Sequence, residues 1–172
     1  MVQKIFAIAL VVLLSGCAST YKHSELKQAS EQLDPSRGVL IAVPEDGWYG
    51  DTRYQRSGQM TANAALAAFS KNAKKVDLTD RCEGAECLEE IDSQEYGYFV
   101  EPIILHWEDR ATEWSGKPDR IEIQLIVYST ATNRQVANSS FTGKSSWFTF
   151  GGDHPQDLLA KPADEFVRGL YR

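Results

Sequence analysis

The sequence predicts an α/β (α+β) domain in which a mixed five-stranded sheet carries packed helices. Three observations predict it. The run at 38–43 (GVLIAV) is short and unbroken in apolar residues, as a strand buried on both faces requires. The run at 120–129 (RIEIQLIVYS) alternates apolar Ile121, Ile123, Leu125 and Val127 with polar Glu122 and Gln124, the two-residue period of a half-buried strand. Between them, Ala62, Ala65, Leu66, Phe69 and Ala73 recur at three- and four-residue spacing, the apolar stripe of a helix.

Composition fits that class. The chain has 172 residues, of which 42% are hydrophobic and 24% charged, so it can close a core and is not a disordered polar chain. The length suits one domain. A formal charge of −6 argues against a general nucleic-acid binder, which needs a basic stripe. A mean hydropathy of −0.36 excludes a multi-span membrane protein.

The elements follow in order. Lys4 and the apolar run 5–14 form a signal peptide over 1–16. Ten residues at helical rise reach only about 15 Å, half of a bilayer core, so the run does not span. The tail Leu14-Ser15-Gly16-Cys17 resembles the lipobox of bacterial lipoproteins. That resemblance implies that the Cys17 thiol takes a diacylglycerol, that the leader is cut before it, and that the new amino group is acylated. Two or more long chains anchor a protein stably. Ala18, rather than Asp, implies by the same resemblance a place on the periplasmic face of the outer membrane.

Residues 17–36 read as a lipidated tether, with a thin stripe of Leu26, Ala29 and Leu33 and an end at Asp34-Pro35. The globular domain then runs over 37–172. The first strand is 38–43. Ser57 is a candidate N-cap for a helix over 58–72. A second strand covers 75–79 (KVDLT), and a short helix 87–94 carries Leu88 and Ile91. The third strand, 98–107, contains Pro102, which suggests an edge or a bulge. The fourth is 120–129 and the fifth 135–142. A last helix starts near Asp153 and Pro155, is broken by Pro162, and resumes through Phe166, Val167, Leu170 and Tyr171. The order β-α-β-α-β-β-β-α resembles the N-terminal domain of the Tol-system β-propeller protein and an outer-membrane lipoprotein that activates a penicillin-binding protein.

Cys82 and Cys87 (CEGAEC) are an even pair five apart, which in an oxidising compartment suggests a structural disulfide, free thiols being the alternative. Such a loop contributes about 2 kcal/mol. Neither cysteine has a nearby His, the spacing is not that of a redox CxxC, and no GxSxG occurs, so nucleophilic hydrolysis finds no support.

Three segments are candidates for function. The loop 46–54 follows the first strand and holds Trp48, Tyr49, Arg53 and Tyr54, a set that suits a protein partner or a sugar. The long connection 106–120 (HWEDRATEWSGKPDR) holds Glu108, Asp109, Arg110 and Trp114, and unusual loop length invites a functional reading. Two carboxylates beside His106 are the groups of general acid–base catalysis, but the mixture of Arg110, Lys117 and Arg120 among the acids reads as a self-paired charged hairpin. In 143–159, His154 stands beside Asp153 and Asp157; adjacent residues seldom converge on one ion, so no metal is expected. Gly143-Lys144-Ser145 lacks the preceding glycine of a P-loop and closes a strand instead of opening a helix.

The phrases ILHWEDRATEWSGKPDR and TFGGDHPQDLL, with the lipobox, resemble a family of short Gram-negative envelope lipoproteins catalogued as a domain of unknown function. The resemblance implies an envelope lipoprotein and transfers no catalytic residue. The expectation is a non-enzymatic interaction module without cofactor or metal. It is held at the membrane by Cys17 and presents Trp48, Tyr49, Arg53, Tyr54, Glu108, Asp109, Arg110 and Trp114 to an envelope protein. The alternative is a domain for cell-wall glycan or a small ligand using Trp48, Trp107, Trp114 and Trp147. A hydrolase built on His106, Glu108 and Asp109 is the third reading.

Overall fold

The computed structural model describes residues 19–82, 84–110, 117–146 and 154–172. Cys17, Trp114 and Trp147 therefore lie outside the described residues. The strands are β1 (Thr20–Lys27), β2 (Gly38–Ala42), β3 (Trp48–Tyr49), β4 (Thr52–Arg53), β5 (Val76–Thr79), β6 (Tyr96–Glu108), β7 (Arg120–Ser129) and β8 (Arg134–Lys144). The helices are α1 (Ser57–Phe69) and α2 (Ala160–Leu170), with 3-10 turns at Gly84–Glu89 and Pro155–Leu158. Six strands form one sheet in the order β1-β8-β7-β6-β2-β5, and β3 pairs with β4 separately. β2 runs parallel to β5 and β6, whereas β6, β7, β8 and β1 are successively antiparallel, so the sheet is mixed as expected.

The alternation in β7 places Ile121, Ile123, Leu125 and Val127 on one buried face. Both helices contribute to the same cluster, α1 through Ala65, Ala68 and Phe69 and α2 through Ala163, Val167 and Leu170. The alanines of α1 let its axis lie close to the sheet. Asp164 of α2 joins the two helical segments, accepting from Lys71 and from Arg168 at 2.7 Å each; these bonds hold its carboxyl below the ordinary range. Among the described residues, no helix is long and apolar enough to cross a membrane.

The opposite face has a smaller apolar cover. Cys87 and Leu88 of the first 3-10 turn pack with Ala42 and Phe99, and Cys82 is bonded to Cys87. This turn takes the place of the short helix expected over 87–94.

Three further expectations are corrected, and that for Pro102 holds. Residues 20–27, expected within a tether, form β1, which pairs with β8 from Thr20↔Lys144 to Lys27↔Asn138. The segment after it is also fastened: Leu33 is buried and its N–H donates to the Leu170 carbonyl at 2.8 Å. β1 escaped notice because an edge strand takes its order from backbone bonds to a neighbour and needs no apolar alternation of its own. Ser57 is the first residue of α1, not its cap; Arg56 precedes it with φ +71°. Pro162 does not break the last helix, because it falls in the first turn of α2, where no N–H needs an intrahelical partner. Pro102 sits within β6, paired to Leu125, but past Val100, the last residue of β6 that pairs with β2; the strand has a local edge there.

Candidate functional site

The hairpin β3–β4 pairs Trp48 with Arg53 and Tyr49 with Thr52, and Gly50 at φ +57° supplies the turn. Gly47 fastens the hairpin to the sheet. A Cβ on Gly47 would lie 2.6 Å from Trp107 Cβ and 2.8 Å from Ile104 Cγ2, so only glycine permits this approach. The Gly47 N–H donates to Ser57 Oγ at 2.8 Å, and Ser57 Oγ donates to the Tyr54 carbonyl at 2.7 Å. Tyr54 itself is half-buried against the core.

On this frame Trp48 is 56% exposed and Tyr49 38%. The Arg53 guanidinium lies 5.9 Å from the Trp48 ring and 3.4 Å from Asp46. Asp46 also accepts the Gly58 N–H at 3.1 Å, which ties the hairpin to the start of α1. Trp48 borders a groove of about 430 Å³ that runs past Asp46, Glu101, Pro102 and Leu105, the last 50% exposed. Tyr128 donates to Glu101 at 3.0 Å, and burial pushes the Tyr128 hydroxyl up to about 12.

The three singled-out segments meet, the first two at Tyr49 and the last two at Asp109 and His154. The Tyr49 ring packs edge-on to His106 at 5.4 Å, and the Arg110 guanidinium lies 5.1 Å from the Tyr49 ring. Beneath them Glu108 is 1% exposed. One of its oxygens is bonded to His106 Nε2 at 3.1 Å and the other faces Arg110. Glu108 thus acts as the post that holds His106 and Arg110 against Tyr49. Both oxygens already face protein groups, so the carboxylate is poorly placed to reach a reactant. Trp107 is buried in the core and offers no ring to a ligand.

Asp109 is exposed and points toward His154, 3.9 Å away. Asp109, Asp119 and His154 each bring one ligand atom within 4.8 Å of the others, a set that the sequence did not suggest because its members are 10 to 45 residues apart. Imidazole with two carboxylates is donor chemistry for a divalent ion. Here, however, buried Asp119 already accepts the Arg110 N–H at 2.5 Å.

Two further concavities lie along β1, a strand that the sequence pattern does not announce. One of about 600 Å³ separates β1 from α2 and contains His23, which is 3.7 Å from Glu165. The other, of about 360 Å³, is lined by Lys22, His106, Arg120, Glu122, Thr142 and Lys144, among others.

The fold is similar to solved structures. PelC from Paraburkholderia phytofirmans, a dodecamer, superposes with a TM-score of 0.66 at 12% identity, covering 90% of this chain and 98% of that one. Protein XCC0632 from Xanthomonas campestris, of family DUF330, superposes at 0.51 with 16% identity, covering 81% and 90%. At such identities the likeness is one of fold. No curated protein matches the sequence. Residues 31–170 match the model of the family described as a domain of unknown function, DUF4823, and the chain belongs to that family.

Proposed function

We propose that this chain is a lipid-anchored lipoprotein of the cell envelope, acylated on Cys17 at the periplasmic face of the outer membrane, and that it serves as a non-enzymatic interaction module. The anchor rests on the lipobox Leu14–Cys17 and the placement on Ala18. One observation carries the interaction reading: Trp48, Tyr49 and Leu105 are large, apolar and exposed, and the hairpin is fixed by Gly47, Ser57 and Asp46. Exposed aromatics on a rigid frame, with Arg53 and Arg110 against their rings, are the composition of an interaction hot spot. The engagement of Glu108 by His106 and Arg110 supports a positioning role over a catalytic one. Because PelC assembles into a dodecamer, a second copy of this chain is the first partner to test.

Crosslinking in intact cells, read by mass spectrometry, tests this. In Trp48→Ala and Arg53→Ala the partner crosslinks fall at least tenfold, the loss of one hot-spot side chain. An unchanged partner set in both variants discards the hairpin as the docking surface. Glycan binding is the second reading, favoured by the position of Trp48 beside a groove with Asp46 and Glu101. Retention on cell-wall glycan that is lost in Trp48→Ala, without any protein crosslink, would select it.

A further inference from the structure

Resting on the reading of Cys17 as an acylated anchor, we infer that the Thr20 end of the sheet lies directly on the membrane and that Lys22, Arg120 and Lys144 there bind lipid headgroup phosphates. The first observation is the length of chain between anchor and fold. Sheet pairing begins at Thr20, three residues after Cys17. Three residues reach about 10 Å when fully extended. The headgroup region on each side of a bilayer is roughly 5–8 Å thick. Thr20 is therefore held within about two headgroup layers of the acylated residue, and whatever the sheet places beside Thr20 comes with it.

The register decides what that is. Lys144 lies opposite Thr20 on one side and opposite Arg120 on the other. Lys22 lies opposite Thr142, which lies opposite Glu122. All three cations are exposed and line the concavity of about 360 Å³. They project from the face away from the helices, since their neighbours Tyr21 and Ile121 pack into the helix-covered core. The other titratable groups there are Glu122 and His106, and His106 is held by Glu108. Three cations thus face one free carboxylate, in a chain whose formal charge is −6.

The second observation concerns the ionic partners of these cations. Among the described residues, none of Lys22, Arg120 and Lys144 forms an ion pair. Like charges directly opposite on adjacent strands, as Arg120 and Lys144 are, repel. A phosphate between them relieves that repulsion. The membrane is the fitting source, because the anchor keeps the concavity at the headgroups at a high effective concentration.

Lysine footprinting on the acylated full mature chain tests this. The protein is reconstituted into vesicles of phosphatidylcholine alone or with one quarter phosphatidylglycerol, labelled with a neutral acetylating reagent, and read by mass spectrometry. Lys22 and Lys144 label at least fivefold more slowly in the anionic vesicles, the effect expected of a basic side chain at a charged surface. Lys74, near the opposite end of the sheet where β5 begins, labels equally in both. Equal labelling of Lys22 and Lys144 on an acylated chain overturns the headgroup site and leaves the anchor standing. A chain whose intact mass carries no acyl groups overturns the anchor instead. Equal protection by inorganic phosphate in detergent micelles assigns the concavity to soluble phosphate and overturns the membrane assignment.

Discussion

The two faces of the sheet differ in what they exclude. On one, α1 and α2 cover a continuous apolar cluster that takes in Val39, Ile41, Trp107, Phe141 and the inward residues of β7. On the other, the apolar cover among the described residues is the disulfide-closed turn over Ala42 and Phe99, while β7, β8 and β1 carry Glu122, Gln124, Thr142, Ser140 and Lys22. The first face concentrates the apolar burial that stabilises the fold. The second leaves charged and polar groups at a rim that also holds His106, Glu108 and Arg110. Stability and recognition are therefore separable, and substitutions on the two faces should report different quantities.

The largest expected effect is on the covered face. Phe69 is fully buried and its ring meets Tyr171 edge-on at 6.4 Å. Phe69→Ala removes a large side chain and leaves a cavity, which costs about 4 kcal/mol. Urea unfolding with an unchanged slope measures it. A loss under 1 kcal/mol would mean that α1 is not the principal cover, and the contrast between the faces would fail.

The second effect is about half as large and belongs to the other face. Replacing both Cys82 and Cys87 by Ala frees a short loop, at a cost of about 2 kcal/mol in the chain-entropy estimate. The same urea experiment reads it. Lipid-vesicle footprints of Lys22 and Lys144 stay as in the parent chain, because β1 and β8 do not pass under that turn. A changed footprint would show that the two halves of this face are coupled.

The same contrast explains what the sequence could announce. Strand β7 was legible because burial on one face writes a two-residue period into its side chains, β2 because burial on both faces leaves an unbroken apolar run, and α1 because its stripe recurs every three to four residues. β1 (TYKHSELK) was not, since an exposed edge strand buries little and owes its place to backbone bonds with β8. The hairpin aromatics could be singled out as a group. Their seat on His106 and Arg110 could not, because it depends on the register shift in β6 between Ile104 and His106, which re-aims the strand's last residues. The cationic concavity was hidden for the same reason: Lys22, Arg120 and Lys144 come together only when β1, β8 and β7 are aligned.

The smallest effect is the most discriminating. Lys144→Glu turns a repelling cross-strand pair with Arg120 into an attracting one, which should stabilise the protein in solution by about 0.5 kcal/mol. If Lys144 were merely a solubilising surface residue, the variant would gain this stability and lose nothing. If the three cations hold headgroups, the same variant binds them less well, and Lys22 in anionic vesicles labels closer to its rate in neutral ones. A gain in unfolding free energy together with a loss of Lys22 protection would show that this end of the sheet keeps a strained charge arrangement because the membrane relieves it. Gain without loss would return Lys144 to the ordinary surface and leave the disulfide-covered half as the organised part of that face.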